Sequence, residues 1–159
     1  MTLIEVIVGL LSAVAGTVGF AMLFRVRPKF LLACAVGGFL AYGVYLLTKV
    51  YVDGEFFPNV AAAVATAVYS EICAHKLKAP VQLFTIPALV PLMPGGALYY
   101  SMYYLLAKDT PEALRHTVST LETAFGLAGG VTAGITAITA VLVMIRQYKA
   151  SRKVKNSAD

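Results

Sequence analysis

The sequence has few charged side chains, and this shortage excludes most soluble protein classes. Charged residues make up 13% of the 159 residues and apolar residues 59%, and the mean hydropathy is +0.78. A soluble domain normally contains about 25% charged residues. Most of the surface is therefore expected to face a medium other than water, and the length allows about five membrane spans of some 20 residues each.

Cysteine and histidine are also scarce, which argues against disulfides, metal sites and catalysis. Cys34 and Cys73 lie within apolar runs and are interpreted as small core residues. His75 and His116 fall on opposite sides of the topology derived below, so they do not share a metal site. The sequence also lacks a Gly-x-x-x-x-Gly-Lys phosphate-binding loop. We expect a protein without enzymatic activity, cofactor or metal, in which any transport uses ion or substrate gradients.

Five apolar segments predict five transmembrane helices in an all-α integral membrane protein. Pro58 is a favourable residue for the first turn of the third helix. The polar and basic stretch 146–159 is expected to be a solvated cytoplasmic tail. The predicted spans are residues 4–24, 30–48, 58–74, 81–106 and 126–145 of one transmembrane domain, residues 1–145.

The positions of the basic residues predict the orientation of these helices. Of the 13 Lys and Arg residues, Lys49, Lys108 and Arg115 fall on one side of the five-span topology and the other ten on the opposite side. The positive-inside rule makes the side with ten cytoplasmic, which puts the N-terminus outside and the C-terminus inside. The basic net charge therefore reflects membrane topology, and we expect no nucleic-acid partner.

Two interpretations remain open for the stretch between the fourth and fifth spans. Thr110, Pro111 and Glu112 form a helix start, with Thr110 as the N-cap residue. Residues 111–124 are then either a separate amphipathic helix at the outer interface or the outer end of one long fifth helix.

Glycines in the fifth span predict close helix packing, which helix association in lipid requires. Gly126, Gly130 and Gly134 recur every four residues. The simpler interpretation is packing against another helix of the same chain. The alternative is that these three glycines contact a second copy and form a homo-oligomer.

The fourth span contains a cluster of helix-breaking residues. Pro87, Pro91 and Pro94 are followed directly by Gly95 and Gly96. Each proline lacks an N–H and clashes with the carbonyl four residues earlier, so the helix is expected to break near its middle. Unpaired backbone at that depth is tolerated only where protein or a water-filled cavity covers it. The alternative is a proline kink that only shapes the bundle.

The broken helix predicts a substrate site, because discontinuous helices recur in secondary transporters. The start of its second half presents free N–H groups and a positive dipole end, which suit a carboxylate. Two tyrosines follow, and one of them is expected to donate a hydrogen bond to the substrate. The predicted substrate-binding residues are Pro91, Pro94, Gly95, Gly96, Tyr99 and Tyr100.

Glu71 on the third span is a candidate for proton coupling, because ionisable residues inside a membrane are functional candidates by default. Asn59 and Ser70 are polar residues of the same span and extend this predicted polar pathway. A structural explanation competes, because Glu71 and His75 are four residues apart and can pair on one helix face.

Two segments of the sequence resemble the threonine/serine exporter family. They are residues 69–80, YSEICAHKLKAP, and residues 91–99, PLMPGGALY. The likeness is to the small-subunit type, of which YjjB-like proteins are examples. The resemblance implies export of threonine and serine, or of succinate in the split two-subunit form, across the bacterial inner (plasma) membrane. It also implies a large-subunit partner with matching spans, and it places Pro91, Pro94, Gly95 and Tyr99 at the positions of the family motif.

Five spans with the N-terminus outside suit one half of a two-component exporter, because a partner of opposite orientation completes an inverted repeat. Two other functions remain open, a non-catalytic scaffold or assembly subunit and a small self-assembling channel. All three place the chain in the lipid bilayer. The exporter alone requires a small-molecule site at the broken helix.

Overall fold

The structure, a computed structural model, describes the backbone of residues 3–155 and the side chains of residues 3–141, 143 and 144. Within these residues it contains α-helices joined by short connections and no strand, which confirms the all-helical prediction. The elements are α1 (Leu3–Leu23), α2 (Pro28–Tyr51), α3 (Phe56–Leu77), α4 (Gln82–Leu89), a 3-10 turn (Val90–Leu92), α5 (Gly95–Leu106) and α6 (Thr110–Lys155).

Four helices of the described chain are long and apolar enough to cross a membrane, namely α1, α2, α3 and the part of α6 from Thr110 to Val141. The stretches Gln82–Leu92 and Gly95–Leu106 add a fifth span if they are taken together, although their axes differ by 46°. Both α2 and α3 extend beyond the predicted apolar segments. Hydropathy marks the apolar part of a helix, whereas backbone hydrogen bonding continues into the polar ends.

One continuous helix occupies the region predicted as an interfacial segment, a fifth span and a tail. α6 runs from Thr110 to Lys155, so residues 111–124 are its first part and not a separate helix. The sequence contains no proline after Pro111, and nothing else forces a break. At 1.5 Å per residue, the 46 residues extend about 69 Å, more than twice the hydrocarbon thickness. Residues 156–159 of the predicted tail lie outside the described residues.

The glycine face of α6 packs along α3. A Cβ atom added at Gly126 would lie 2.7 Å from the Phe56 carbonyl oxygen, and one at Gly130 would lie 2.6 Å from the Val60 carbonyl oxygen. Gly134 continues the series, and the two helices run parallel because the contacts advance in the same direction along both. The structure therefore shows packing within the chain. The predicted contact of these glycines with a second copy is not part of this fold, because α3 occupies the face.

The core lies between α2, α3 and α4. Ala41 packs with Leu89 at the end of α4 and with Leu92 of the 3-10 turn. Near the start of α4, the Phe30 and Phe84 rings meet edge to face with centroids 5.7 Å apart. These contacts hold the α4 side of the break firmly against α2 and α3.

A cysteine satisfies one of the carbonyls that the prolines deprive of a donor. Pro87 removes the N–H that would bond to the Leu83 carbonyl, and the Cys34 thiol donates to that oxygen instead at 3.6 Å. The Val90 carbonyl accepts a bond from the Met93 N–H at 3.1 Å. Both cysteines are free. Cys34 is buried, as predicted for a core residue, whereas Cys73 is only partly buried and packs against the core.

Candidate functional site

A polar cavity of about 310 Å³ lies beside the break in the fourth span. Cavities of roughly 300 Å³ or more are the usual size of small-molecule sites. Residues from α2, α3, the break, α5 and α6 form the wall, so the cavity exists only in the folded bundle. The lining residues are Tyr42, Tyr45, Glu55, Asn59, Pro91, Leu92, Met93, Pro94, Gly96, Ala97, Ser119 and Thr123.

The start of α5 contributes two residues, Gly96 and Ala97, to this wall. Pro94 is the N-cap residue and has no N–H, and the Gly95 N–H bonds to the Met93 carbonyl at 2.8 Å. The amides of Gly96 and Ala97 belong to the first turn, where the helix itself supplies no acceptor. No side chain of the described residues caps them. A Cβ at Gly96 would meet no atom within 4 Å, so the space beside this glycine is open.

Asn59 lies in the same wall and has an unpaired acceptor. Its side chain is 1% exposed, and Nδ2 donates to the Glu55 carbonyl at 2.7 Å. A carbonyl oxygen only accepts, so this bond requires the amide nitrogen to face it and directs Oδ1 elsewhere. Oδ1 has no hydrogen-bond partner within the described part of the chain. A buried acceptor in this state costs about 1–3 kcal/mol, which a ligand that donates a hydrogen bond would recover.

Glu55 joins three helices at the edge of the cavity. The Tyr45 hydroxyl on α2 donates to one carboxylate oxygen at 2.9 Å, and the Lys49 ammonium pairs with the other. The backbone N–H of Glu55 donates to the Glu122 carboxylate on α6 at 3.2 Å. Among the described residues, Glu55 is the charged member of the cavity wall. The group contains two carboxylates and one ammonium, which leaves it with a net negative charge.

The cavity lies close to the end of the bundle where α2 meets α3. Asn59 is three residues from the start of α3 at Phe56, and Tyr45 is six residues from the end of α2 at Tyr51. These intervals correspond to about 5 Å and 9 Å of helix, and the far ends of both helices are about 26 Å away. The break is central in its own stretch, residues 82–106, whereas the cavity lies near one end of α2 and α3.

The structure brings residues from both predicted sets into one cavity. Pro91, Pro94 and Gly96 of the predicted substrate site line it together with Asn59 of the predicted polar pathway. Gly95 directly precedes Gly96 and forms the first residue of α5. The break and the N-terminal part of α3 thus border the same cavity.

Tyr99 and Tyr100 do not line the cavity, which differs from the prediction. Their side chains are 64% and 47% exposed, and their rings contact each other with centroids 5.3 Å apart. Tyr100 also lies against the His116 ring on α6, at 5.5 Å. The 46° bend directs α5 away from α2 and α3. Residues after the first turn of α5 therefore lie outside the cavity.

Glu71 and Ser70 lie toward the other end of α3. Glu71 Oε1 is 3.5 Å from His75 Nε2, which is the pairing that competed with proton coupling. His75 belongs to the helix and not to a loop, because α3 continues to Leu77. Ser70 is fully buried, and its Oγ has no partner among the described residues. About 18 Å of helix separate Glu71 from Asn59, so one small site does not contain both.

Several wall residues were not predicted from the sequence. Tyr45 and Lys49 lie one turn apart on α2, directly before the acidic loop, and this spacing is a signal that could have identified Glu55. Ser119 and Thr123 on α6 carry no such signal. Thr123 donates to the Ser119 carbonyl at 3.0 Å, as hydroxyl residues commonly do in any helix.

These features define a polytopic helical membrane protein, with four or five candidate spans and a small polar cavity beside a helix break. Residues 9–142 match the sequence family described as Threonine/Serine exporter, ThrE. The chain belongs to this family and is a membrane component of an exporter, which confirms the resemblance carried by residues 69–80 and 91–99. No solved structure matches the chain.

Proposed function

We propose that the chain is the small subunit of a two-component secondary exporter and that the start of α5 binds the substrate carboxylate. One observation carries this proposal: Gly96 and Ala97, whose amides lack intrahelical acceptors, line the cavity. Backbone N–H groups at a helix N-terminus favour an anionic ligand, because hydrogen bonding and the helix dipole act together. Threonine, serine and succinate all provide a carboxylate.

In this proposal, a partner subunit supplies the part of the substrate pathway that the present chain does not form. The cavity adjoins the α2–α3 end, whereas small residues and leucines of the core fill the groove beyond it. A large-subunit partner of opposite orientation would supply an inverted repeat and the remaining pathway. In this arrangement the N-terminus is outside, the C-terminus is in the cytoplasm, and the complex lies in the bacterial inner membrane. Transport uses ion or substrate gradients, and we assign the chain no enzymatic activity.

The experiment is a Gly96→Leu substitution in the complex with its large-subunit partner. The substitution begins without a clash, because nothing lies within 4 Å of a Cβ added at this cavity-lining residue. We expect the complex to assemble and the counterflow of radiolabelled threonine in proteoliposomes to fall at least about tenfold, the loss of roughly 1.4 kcal/mol of binding.

Gly19→Leu on α1 is the matched control, because its added Cβ also meets no atom within 4 Å and Gly19 is outside the cavity wall. It is expected to retain counterflow. Full transport by the Gly96→Leu complex would contradict the carboxylate site and favour a scaffold subunit. Transport of threonine by the isolated chain would instead contradict the need for a partner and favour a self-assembling channel.

A further inference from the structure

We infer that Asn59 Oδ1, supported by the charge of Glu55, accepts a hydrogen bond from the substrate ammonium group and thereby selects an amino acid over a dicarboxylate. This inference rests on the proposed carboxylate site at the start of α5. It assigns the two ends of a zwitterion to two walls of the same cavity.

The geometry of the Asn59 amide identifies the chemistry of its ligand. The Nδ2 bond to the Glu55 carbonyl at 2.7 Å fixes which way the amide points. The atom left over is an acceptor, buried and without a partner among the described residues. Such an atom is stabilised by a donor and destabilised by a second acceptor such as a carboxylate. A substrate that bears only carboxylates has no group to place there.

The charge around the cavity favours an ammonium donor over a hydroxyl donor. Glu55 contributes a carboxylate to the wall, and Glu122 lies within hydrogen-bond distance of its backbone N–H. Lys49 pairs with Glu55 and neutralises only one of these two charges. An ammonium group therefore gains electrostatic attraction as well as a charge-assisted hydrogen bond, whereas a hydroxyl gains only the hydrogen bond.

The small size of the cavity allows both contacts to form at once. The carboxylate and the ammonium of an α-amino acid are attached to the same carbon atom, so their binding groups must lie near each other. Gly96, Ala97 and Asn59 all line the same cavity of about 310 Å³. Oδ1 is covered in this conformation, so the substrate reaches it when the wall shifts. Met93 is the wall residue best suited to move, because it is unbranched and 55% exposed.

The test measures counterflow of three substrates by the complex of this chain with its large-subunit partner. L-threonine carries both groups, 3-hydroxybutyrate lacks the ammonium, and 2-aminobutyrate lacks the hydroxyl. We expect Asn59→Leu to raise the KM for threonine and for 2-aminobutyrate about tenfold or more, as for loss of a hydrogen bond to a charged group. The KM for 3-hydroxybutyrate should change less than about twofold, because that substrate makes no contact through an ammonium.

Two further variants separate recognition from folding. Asn59→Asp retains an acceptor oxygen and is expected to keep the preference for threonine over 3-hydroxybutyrate. Thr66→Val, two turns along α3, removes a buried hydroxyl that bonds within its own helix at 2.7 Å, and it should leave all three KM values unchanged. The melting temperature of each complex reports on folding independently of transport.

The outcomes distinguish the inference from the proposed function. An equal loss for all three substrates in Asn59→Leu would show a purely structural role and overturn the inference, while the carboxylate site stands. A loss for threonine and 3-hydroxybutyrate that spares 2-aminobutyrate would assign the contact to the hydroxyl and overturn the ammonium assignment. If the wild-type complex carries none of the three substrates, the proposed function fails as well. Loss of the threonine preference in Asn59→Asp also contradicts the inference.

Discussion

The two ends of α3 contain similar residues and differ in what surrounds them. Near Phe56, Glu55 and Asn59 adjoin a cavity. Glu55 contacts other helices, and Asn59 Oδ1 has no partner among the described residues. Near Leu77, Glu71 pairs with a residue of its own helix and Ser70 is sealed in the core. Each end thus offers a carboxylate and a buried polar side chain. The residue types at the two ends are therefore alike, and the packing of the neighbouring helices determines which end adjoins a cavity.

The course of the fourth span explains the difference. Along its helical part, α4 fills the groove between α2 and α3. Ala88 of α4 packs closely against Gly37 of α2, so that a Cβ added at Gly37 would lie 3.2 Å from the Cβ of Ala88. At Pro91 and Pro94 the helix breaks and α5 turns away by 46°. The groove is filled where the helix is intact and empty where it is broken.

The largest predicted effect tests whether the two ends lie on opposite sides of the membrane. In a Cys34→Ser, Cys73→Ala background, the serine retains a donor for the Leu83 carbonyl. Asp53→Cys at the cavity end should react completely with an impermeant maleimide in intact cells, and Lys76→Cys at the other end only after permeabilisation. The reverse pattern would place the cavity on the cytoplasmic side and invert the proposed orientation.

A second prediction concerns the contact that fixes α3 between its two ends. An added Cβ at Gly130 would lie 2.7 Å from the Ala63 Cβ, whereas one at Gly129 would meet nothing within 4 Å. Gly130→Ala should therefore lower the free energy of unfolding by about 1–3 kcal/mol. Gly129→Ala, on the neighbouring face, should leave it unchanged or raise it by up to about 1 kcal/mol. Thermal unfolding in detergent measures both, and equal effects would show that this contact does not hold α3.

The smallest effect is expected at the closed end. Glu71→Gln removes a partly exposed pair within one helix, so the free energy of unfolding should fall by about 0.5 kcal/mol or less.

Glu55→Gln at the cavity end keeps the shape of the side chain but removes its charge, and the KM for threonine counterflow should rise several-fold. Loss of transport in Glu71→Gln with full transport in Glu55→Gln would reverse the comparison and support proton coupling at Glu71.

The features of the fold that depend on local chemistry could be predicted from the sequence. Apolar runs identify the helices, because a span in lipid must satisfy its own backbone. The cluster from Pro87 to Gly96 marks the break, because proline removes a donor wherever it stands. The sequence does not determine the length of α6, since residues 111–124 suit an interfacial helix and a long helix equally well.

The composition of the cavity depends on how the helices are offset against each other, and this could only be partly predicted. Gly126 sets the register of α6 against α3 and so brings Glu122 beside the Glu55 backbone. The sequence shows that Gly126 allows close approach but not which helix approaches. The same limit explains why the position of Tyr100 could not be predicted. Tyr100 follows the motif in sequence, but the bend before α5 places it outside the cavity.

The position of the cavity also determines how the membrane potential acts on transport. If the start of α3 lies at the edge of a hydrocarbon layer of about 30 Å, a charge entering from the α2–α3 end reaches Asn59 after about 5 Å, roughly a sixth of the layer. One elementary charge crossing the full layer gains or loses about 2.3 kcal/mol per 100 mV, so entry involves only about 0.4 kcal/mol. A zwitterion carries no net charge and is not affected. In the proposed exporter, the voltage is therefore expected to act only weakly on binding and mainly on any coupling ion that crosses the rest of the layer.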